Sequence, residues 1–485
     1  MTESVILALA GGVMGVLVAK LGVLGLMRIQ PGNIPRMDDD VALDGTVLAF
    51  SAGVSMLVGL LFGLAPALGL TSRNVRSGLR AVGRDRLGGN GRLRNVLIGG
   101  EVALSFVLVT GAILLTRSFS ELRSVDPGFD SAGVVAISLS FPEGDVPELE
   151  SVTVALDRVT ERVAAHPGVE GVGAATVVPF SGNGGDTYVY AEERPPEQIR
   201  NIQNTAFIKF VDEDYFSLLG VPLLRGRAFA HTDAPGTEPL VVINEALERR
   251  LFPNEEAIGK RMVAAINIDS MTAVAAIGVA KDAQQFNLRT AAQPEFFLST
   301  RQYPRRGVRL LVRGKEGISP PLDELRAAIW EVDPGQPLTR TSDVEQLVGG
   351  SLAPGRFQAL LLGLFSLLAV GLAGVGVYGI LAEGVNERGR EIGVRMAMGA
   401  RPSSVVNEVV QRGLKIAAAG IVVGGIAAFG TTRVLSNLLF GVGPRDPYAF
   451  LLTPLFLLAV VVLASWIPAH QAARVDPSTA LRSDR

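Results

Sequence analysis

Cysteine is absent from all 485 residues. That absence removes disulfides, thiol nucleophiles and cysteine metal sites together, and a chain without thiols is safe in an oxidising compartment. Histidine is nearly absent too. His166, His231 and His470 fall in two compartments by the topology derived below, so they cannot complete one metal site. Charge is scarce, at 19% of residues against 48% hydrophobic, which makes a membrane protein the starting expectation. A net charge of −2 gives no general attraction to nucleic acid. A nucleotide loop is missing as well: Gly259-Lys260-Arg261 and Gly314-Lys315-Glu316 lack both the Ser or Thr after lysine and the upstream glycine that such a loop needs. Both read as turns, and neither catalytic nor cofactor-binding residues are assigned.

What the chain has in quantity is long apolar runs. Val5 to Met27 is interrupted only by Lys20 and is preceded by Glu3, so it reads as a retained span rather than a leader, which would carry basic residues in front. Further spans are expected at Thr46 to Leu70, Asn95 to Thr116 (with Glu101 inside), Phe357 to Ala382, Lys415 to Leu439 and Pro447 to Ala469. Residues 71–94 hold seven Arg and one Asp, whereas residues 28–45 hold Asp38, Asp39, Asp40 and Asp44 against two Arg. The positive-inside rule then makes 71–94 cytoplasmic and puts the segment from about 120 to 356 outside. Residues 384–415, with five Arg and one Lys, return to the cytoplasm, and the C-terminus with Arg474, Arg482 and Arg485 ends there. Lys20 and Arg433 lie in the outer parts of their spans and read as snorkelling anchors. Glu101, about two turns from the cytoplasmic end, is expected to face another helix or a nearby Arg.

The external segment reads as mixed α/β. Val134 to Phe141 alternates like a strand, Glu148 to Ala165 has apolar residues at helical spacing, and Val169 to Phe180 returns to strand. Arg309 to Val312, Leu322 to Val332 and Pro337 to Thr341 repeat strand, helix, strand, so two units are expected to pack as one α/β layer. Between them, about 200–290 reads as a β-rich insert with a short helix at Asn244 to Phe252.

Membrane runs into charge at Glu387 to Arg401, a stretch with four Arg and two Glu. Glu387, Glu391 and Arg395 fall four apart and would share a helix face with attractive pairing; Ile392, Met396 and Ala400 make an apolar row at the same spacing. Gly399 and Pro402 supply a stop. The periodicity is equally consistent with a basic juxtamembrane segment and with a helix offered to a protein surface.

Arg390-Glu391-Ile392-Gly393-Val394-Arg395-Met396-Ala397-Met398-Gly399-Ala400 resembles the signature of the FtsX-like permease family, which includes MacB-like exporters and lipoprotein-release permeases. The resemblance implies that residues 384–402 are a cytoplasmic coupling helix seated in a groove of a separate ABC-type ATPase, with Arg388, Arg390, Glu391, Ile392, Arg395 and Met396 in contact and ATP bound by that partner. The external segment resembles the MacB-like periplasmic core domain at Asp214-Tyr215-Phe216, Leu219-Gly220-Val221-Pro222-Leu223-Leu224, Gly226-Arg227, Val242-Ile243-Asn244-Glu245 and Gly259-Lys260.

Asp44, Pro66-Ala67 and Leu79-Arg80 recur as Asp446, Pro468-Ala469 and Leu481-Arg482, which points to a duplication. The first copy has no counterpart of the coupling stretch. The expectation is that Met1 falls inside a repeat, as in the later part of a two-repeat orphan permease of this family. The fold class expected is thus an α-helical integral membrane protein of six spans with a large mixed α/β periplasmic domain of MacB-like core type. In chain order that is two spans at 1–70, a basic linker at 71–94, a span at 95–119, the external domain at 120–356 and a permease unit of three spans at 357–485. The expected setting is the bacterial inner membrane, with an ATPase, membrane lipid and a periplasmic adaptor or outer-membrane channel as partners, and a dimer or pseudo-dimer as the assembly. The expected role is efflux or lipoprotein or amphiphile export. The alternatives are a signalling scaffold that activates a periplasmic partner such as a cell-wall hydrolase, and an orphan without an ATPase.

Overall fold

The structure is a computed structural model that describes residues 2–29, 45–56 and 90–473, apart from 145, 183, 198–200, 202–203, 268–269 and 339. The acidic loop around Asp38, most of the basic 71–94 linker, and the repeat markers Asp44, Pro66-Ala67, Leu79-Arg80 and Leu481-Arg482 lie outside the described residues. The chain forms two compact units, one of Met1–Glu121 with Ala353–Arg485 and the other of Leu122–Leu352, and the division falls inside two continuous helices.

The first unit is helical. It contains α1 (Thr2–Ile29), α2 (Gly45–Met56), α3 (Asn90–Arg123), α8 (Val344–Glu387), α9 (Gly389–Ala397), α10 (Pro402–Thr431) and α11 (Pro447–Ala473). Among the described residues four helices are long and apolar enough to cross a bilayer, namely α3, α8, α10 and α11, while the apolar stretches of the first two run Ala10–Gly25 and Gly45–Met56. The fifth expected span is corrected at its end: α10 starts at Pro402 and stops at Thr431, and a 3-10 turn occupies Val434–Leu438. Arg433 therefore stands at the start of that turn instead of lying inside a span.

Dispersion and small residues hold this unit together, because lipid supplies no hydrophobic drive between helices. Ile98, Val102 and Phe106 of α3 pack with Val370 and Val377 of α8 and Leu457 of α11. Gly413, Ala417, Gly420, Gly424 and Ala428 make a buried stripe along α10. A Cβ on Gly420 would sit 2.6 Å from the Gly99 carbonyl oxygen, and one on Gly424 would sit 2.7 Å from that of Ala103. Only glycine lets the α3 and α10 backbones approach this closely. Thr110 donates to Thr453 at 3.1 Å, and Arg117 pairs with Asp446. Glu101 of α3 lies over Gly376 of α8, where a Cβ would meet its Oε2 at 2.7 Å, so it faces a second helix.

The second unit is built on one eleven-stranded sheet: β1 (Val134–Ser140), β2 (Val169–Ala175), β3 (Gly185–Ala191), β4 (Thr205–Val211), β5 (Leu223–Gly226), β6 (Leu240–Asn244), β7 (Arg261–Asn267), β8 (Ser270–Ala280), β9 (Glu295–Ser299), β10 (Gly307–Gly314) and β11 (Thr341–Asp343). At one end the order β11-β1-β10-β2, with β10 antiparallel to both β1 and β2, is the split β-α-β arrangement. The helices α4 (Leu149–Ala164) and α7 (Leu322–Val332) cover one face. In α4 the apolar spacing puts Val152, Leu156, Val159 and Val163 inward.

Between β2 and β10 the chain makes the β-rich insert. There β4-β3-β7-β8-β6-β9 closes into a ring because β9 pairs in parallel with β4, and closure leaves no free edge. The insert also carries α5 (Tyr215–Leu218) and α6 (Glu245–Leu251), the latter capped by Asn244, whose side chain accepts from the Leu247 N–H at 2.9 Å. Two expected strands are shorter than the sequence implies. The strand from Val169 ends at Ala175, and Phe180 takes a left-handed φ of 62°; the strand expected at Pro337 to Thr341 is instead Thr341–Asp343.

On β4 and β9, on the face covered by Tyr215 of α5, lies a buried ion pair. Lys209 Nζ is 2.8 Å from Glu295 Oε1, with both side chains shut off from water, and it also donates to the Tyr215 hydroxyl at 3.3 Å. The three histidines each have a separate neighbour: Glu324 for His166, Glu213 for His231 and the Trp466 ring for His470.

Candidate functional site

The charged stretch after α8 folds as its own short helix. At Arg388 the backbone leaves helical geometry (φ −102°, ψ 9°), and α9 begins at the next residue. It closes on a glycine cap: Gly399, at φ 94°, donates its N–H to the Met396 carbonyl at 3.0 Å, and Ala400 donates to that of Arg395 at 3.0 Å. This pair of bonds satisfies carbonyls the helix end would otherwise leave open, in a conformation that favours glycine. Pro402 then starts α10, where its missing N–H costs nothing.

Two layers follow from this geometry. Ile392 is buried with Val385, Val405 and Ala472, and Met396 and Val409 pack against that cluster. The inward layer therefore takes up two of the six residues that the resemblance assigns to partner contact. Ala400 lies past the helix end, so the expected three-residue apolar row reduces to Ile392 and Met396. The expected face of Glu387, Glu391 and Arg395 is also corrected, because Glu387 is the last residue of α8 and the break at Arg388 separates it from the other two.

The outward layer is charged. Arg395 pairs with Glu391 one turn earlier on α9 and reaches Glu408 Oε2 on α10 at 3.3 Å, while Arg388 Nη1 lies 3.9 Å from Glu408 Oε1. Glu408 thus ties both ends of α9 to α10. These side chains are about half exposed, so each pair contributes only a few tenths of a kcal/mol to about 1 kcal/mol. Arg388, Glu391, Val394, Arg395 and Met398 remain open to solvent, and Met398 is 77% exposed. Arg390 lies in α9, and its side chain is outside the described residues.

Sequence reasoning passed over Glu408 and Met398. The signal for Glu408 was present, since it is the one acid between Met396 and Arg445. The cleft between α9 and α10, lined by Arg388, Arg395, Glu408 and Arg412 among others, has a volume of about 40 Å³. That is room for a water or two and far less than a small-molecule pocket provides. What the arrangement can do chemically is present a capped, convex helix carrying both signs of charge to another macromolecule.

A family model described as MacB-like periplasmic core domain matches residues 102–330, and one described as FtsX-like permease C-terminal matches residues 363–477, which includes all of α9. Among curated proteins, the macrolide export ATP-binding/permease protein MacB of Chromobacterium violaceum is 25% identical over 399 residues, covering 80% of this chain and 55% of that protein. MacB of Escherichia coli K12 is 27% identical over 291 residues, covering 58% of this chain and 44% of that protein. The chain spans about half the length of the curated relatives it matches. The solved periplasmic region of MacB from Actinobacillus actinomycetemcomitans is 14% identical, covers 45% of this chain and 92% of that one, and has a TM-score of 0.31.

Proposed function

Because the chain belongs to the FtsX-like permeases and carries their MacB-like periplasmic core domain, we propose that it is the permease subunit of an ABC-type export system. In this reading the helical unit sits in the bacterial inner membrane, the β-rich unit stands in the periplasm, and α9 and the C-terminus face the cytoplasm. A separate ATPase grips the outward layer of α9, and its nucleotide-driven closure displaces α9 together with α8 and α10. Only a partner that binds the two states with different affinity can drive such a shift. This chain performs no bond chemistry in that scheme; ATP is bound elsewhere, in keeping with the two Gly-Lys turns that lack a phosphate loop. The cargo class is an efflux substrate, an amphiphile or a lipoprotein. Since a symmetric ATPase dimer offers two grooves, the permease works paired with a second coupling helix.

The observation that carries the proposal is α9 itself, a short helix capped at its C-terminal end, anchored by Ile392 and exposing Glu391 and Arg395 between two membrane-length helices. The test is a fourfold reversal, Arg388→Glu and Arg395→Glu with Glu391→Arg and Glu408→Arg. It keeps the internal pairs while inverting the sign of the exposed face. Co-purification of an ATPase from native membranes should disappear while membrane insertion is unchanged. Retained co-purification would count against the assignment.

A further inference from the structure

At the end of α10 away from α9 stands a second set of arginines, Arg433 and Arg445. The 30 residues of α10 span about 45 Å, so this end lies roughly a bilayer thickness from the coupling helix. There the connection from α10 to α11 forms an open groove of about 540 Å³, lined by Thr432, Arg433, Gly443, Arg445 and Asp446 among others. Among the described residues, neither Arg433 nor Arg445 has a carboxylate partner. The Arg445 guanidinium lies 3.8 Å from the centre of the Phe429 ring, which orients its fork and leaves its N–H donors free.

Asp446, the one acid in the groove, is already engaged. Arg117 pairs with it, and its Oδ2 accepts from the Ala449 N–H at 3.2 Å as the cap of α11. Thr432 is 1% exposed, and among the described residues its hydroxyl has no hydrogen-bond partner. A buried hydroxyl without a partner carries a cost. Two arginines without a carboxylate partner among the described residues therefore line one groove that holds an excess of positive charge, and an unspent hydroxyl is buried beside it.

We propose that this groove binds the phosphate headgroup of a membrane lipid, with Arg433 and Arg445 as the oxyanion ligands. Arginine forks match phosphate oxygens two at a time, the volume suits a headgroup rather than a whole lipid, and the exposed rings of Phe429 and Tyr448 flank the loop as interfacial aromatics do. Snorkelling alone explains one arginine at a membrane edge. It does not explain two arginines that line one groove with no carboxylate partner among the described residues. The inference rests on α10 and α11 crossing a membrane and is independent of the ATPase reading.

The test uses the full chain in non-ionic detergent, titrated with phosphatidylglycerol and read by native mass spectrometry, with a diacylglycerol of the same acyl chains as the control. Wild-type protein should bind phosphatidylglycerol in preference to diacylglycerol. Arg433→Gln with Arg445→Gln should weaken binding at least tenfold, and Arg433→Lys with Arg445→Lys should recover part of the loss. Size-exclusion profile and far-UV dichroism identical to wild type establish that the variants are folded. Equal binding by wild type and the double Gln variant, or equal binding of the two lipids, overturns the proposal. Inorganic phosphate that displaces the lipid at millimolar concentration would assign the arginines to a free ion and overturn the lipid source.

Discussion

Replacing Ile392 with alanine should release α9 from its bed while leaving its exposed charges in place. Ile392 is 9% exposed and packs with Val385, Val405 and Ala472. The change removes three carbons at about 0.8 kcal/mol each plus a residual cavity, a loss of about 2–3 kcal/mol. If α9 opens locally, its amide hydrogens should exchange roughly 30- to 150-fold faster, which follows from that loss when exchange tracks the open population. The contrasting change is Arg395→Gln. It deletes pairs to Glu391 and Glu408 that are half exposed, so solvent screening limits its effect to about 1 kcal/mol, or roughly fivefold. Hydrogen–deuterium exchange over residues 391–398 of the full chain in nanodiscs reads both. The two variants should also separate in function: Arg395→Gln should lose the partner ATPase with α9 still protected, whereas Ile392→Ala should lose both together. The reasoning fails if Ile392→Ala leaves exchange within fivefold of wild type. It fails equally if that variant abolishes partner binding while protection is retained, since Ile392 would then be a direct contact.

Asp212 gives a pH prediction. Burial, with Glu213 and Asp214 adding to it, pushes its carboxyl up to about 8, and its Oδ1 has no partner among the described residues. Below the ordinary value of 3.8 both folded and unfolded chains hold the proton, and Asp212 has no effect on stability. Between there and 8 the unfolded chain releases a proton that the folded one keeps, so stability falls by up to about 1.4 kcal/mol per pH unit, then levels off. Asp212→Asn should remove that slope and raise the melting temperature at pH 8; a wild-type midpoint flat from pH 5 to 8 would refute it. Glu295→Gln should strand the buried Lys209 charge and cost about 3–5 kcal/mol, with Lys209→Met in the same chain recovering most of it; thermal unfolding of the full chain measures both, and an unchanged midpoint for the single variant would show that the pair carries no such cost. Gly424→Ile should force α3 and α10 apart, since its Cβ would meet the Ala103 carbonyl oxygen at 2.7 Å. A loss of about 1–3 kcal/mol is expected, seen as a lower aggregation temperature in detergent, and a midpoint equal to wild type would refute the close approach.

The features that the sequence made legible are those set by local pattern. Apolar length placed α3, α8, α10 and α11, and helical spacing placed the inward face of α4. The Leu322 to Val332 helix appears with those ends, and Asn244 caps the helix expected beside it. What escaped depends on contacts between distant residues. No local rule closes β4 on β9, a parallel pairing of strands about 90 residues apart, so the insert reads only as β-rich from its sequence. The break at Arg388 is marked by no proline, and a lone glycine such as Gly389 is tolerated within a helix, so an uninterrupted helix from Phe357 through Arg395 satisfies the same periodicity. That is why Glu387 seemed to share a face with Glu391. The direction of Ile392 escaped for a different reason: an apolar row beside a charged one marks an amphipathic helix, but periodicity does not say whether its apolar side meets the same chain or another. Val405 and Ala472, contributed by two other helices, decide that question here, and they leave the charges and Met398 as the surface α9 can offer to a partner.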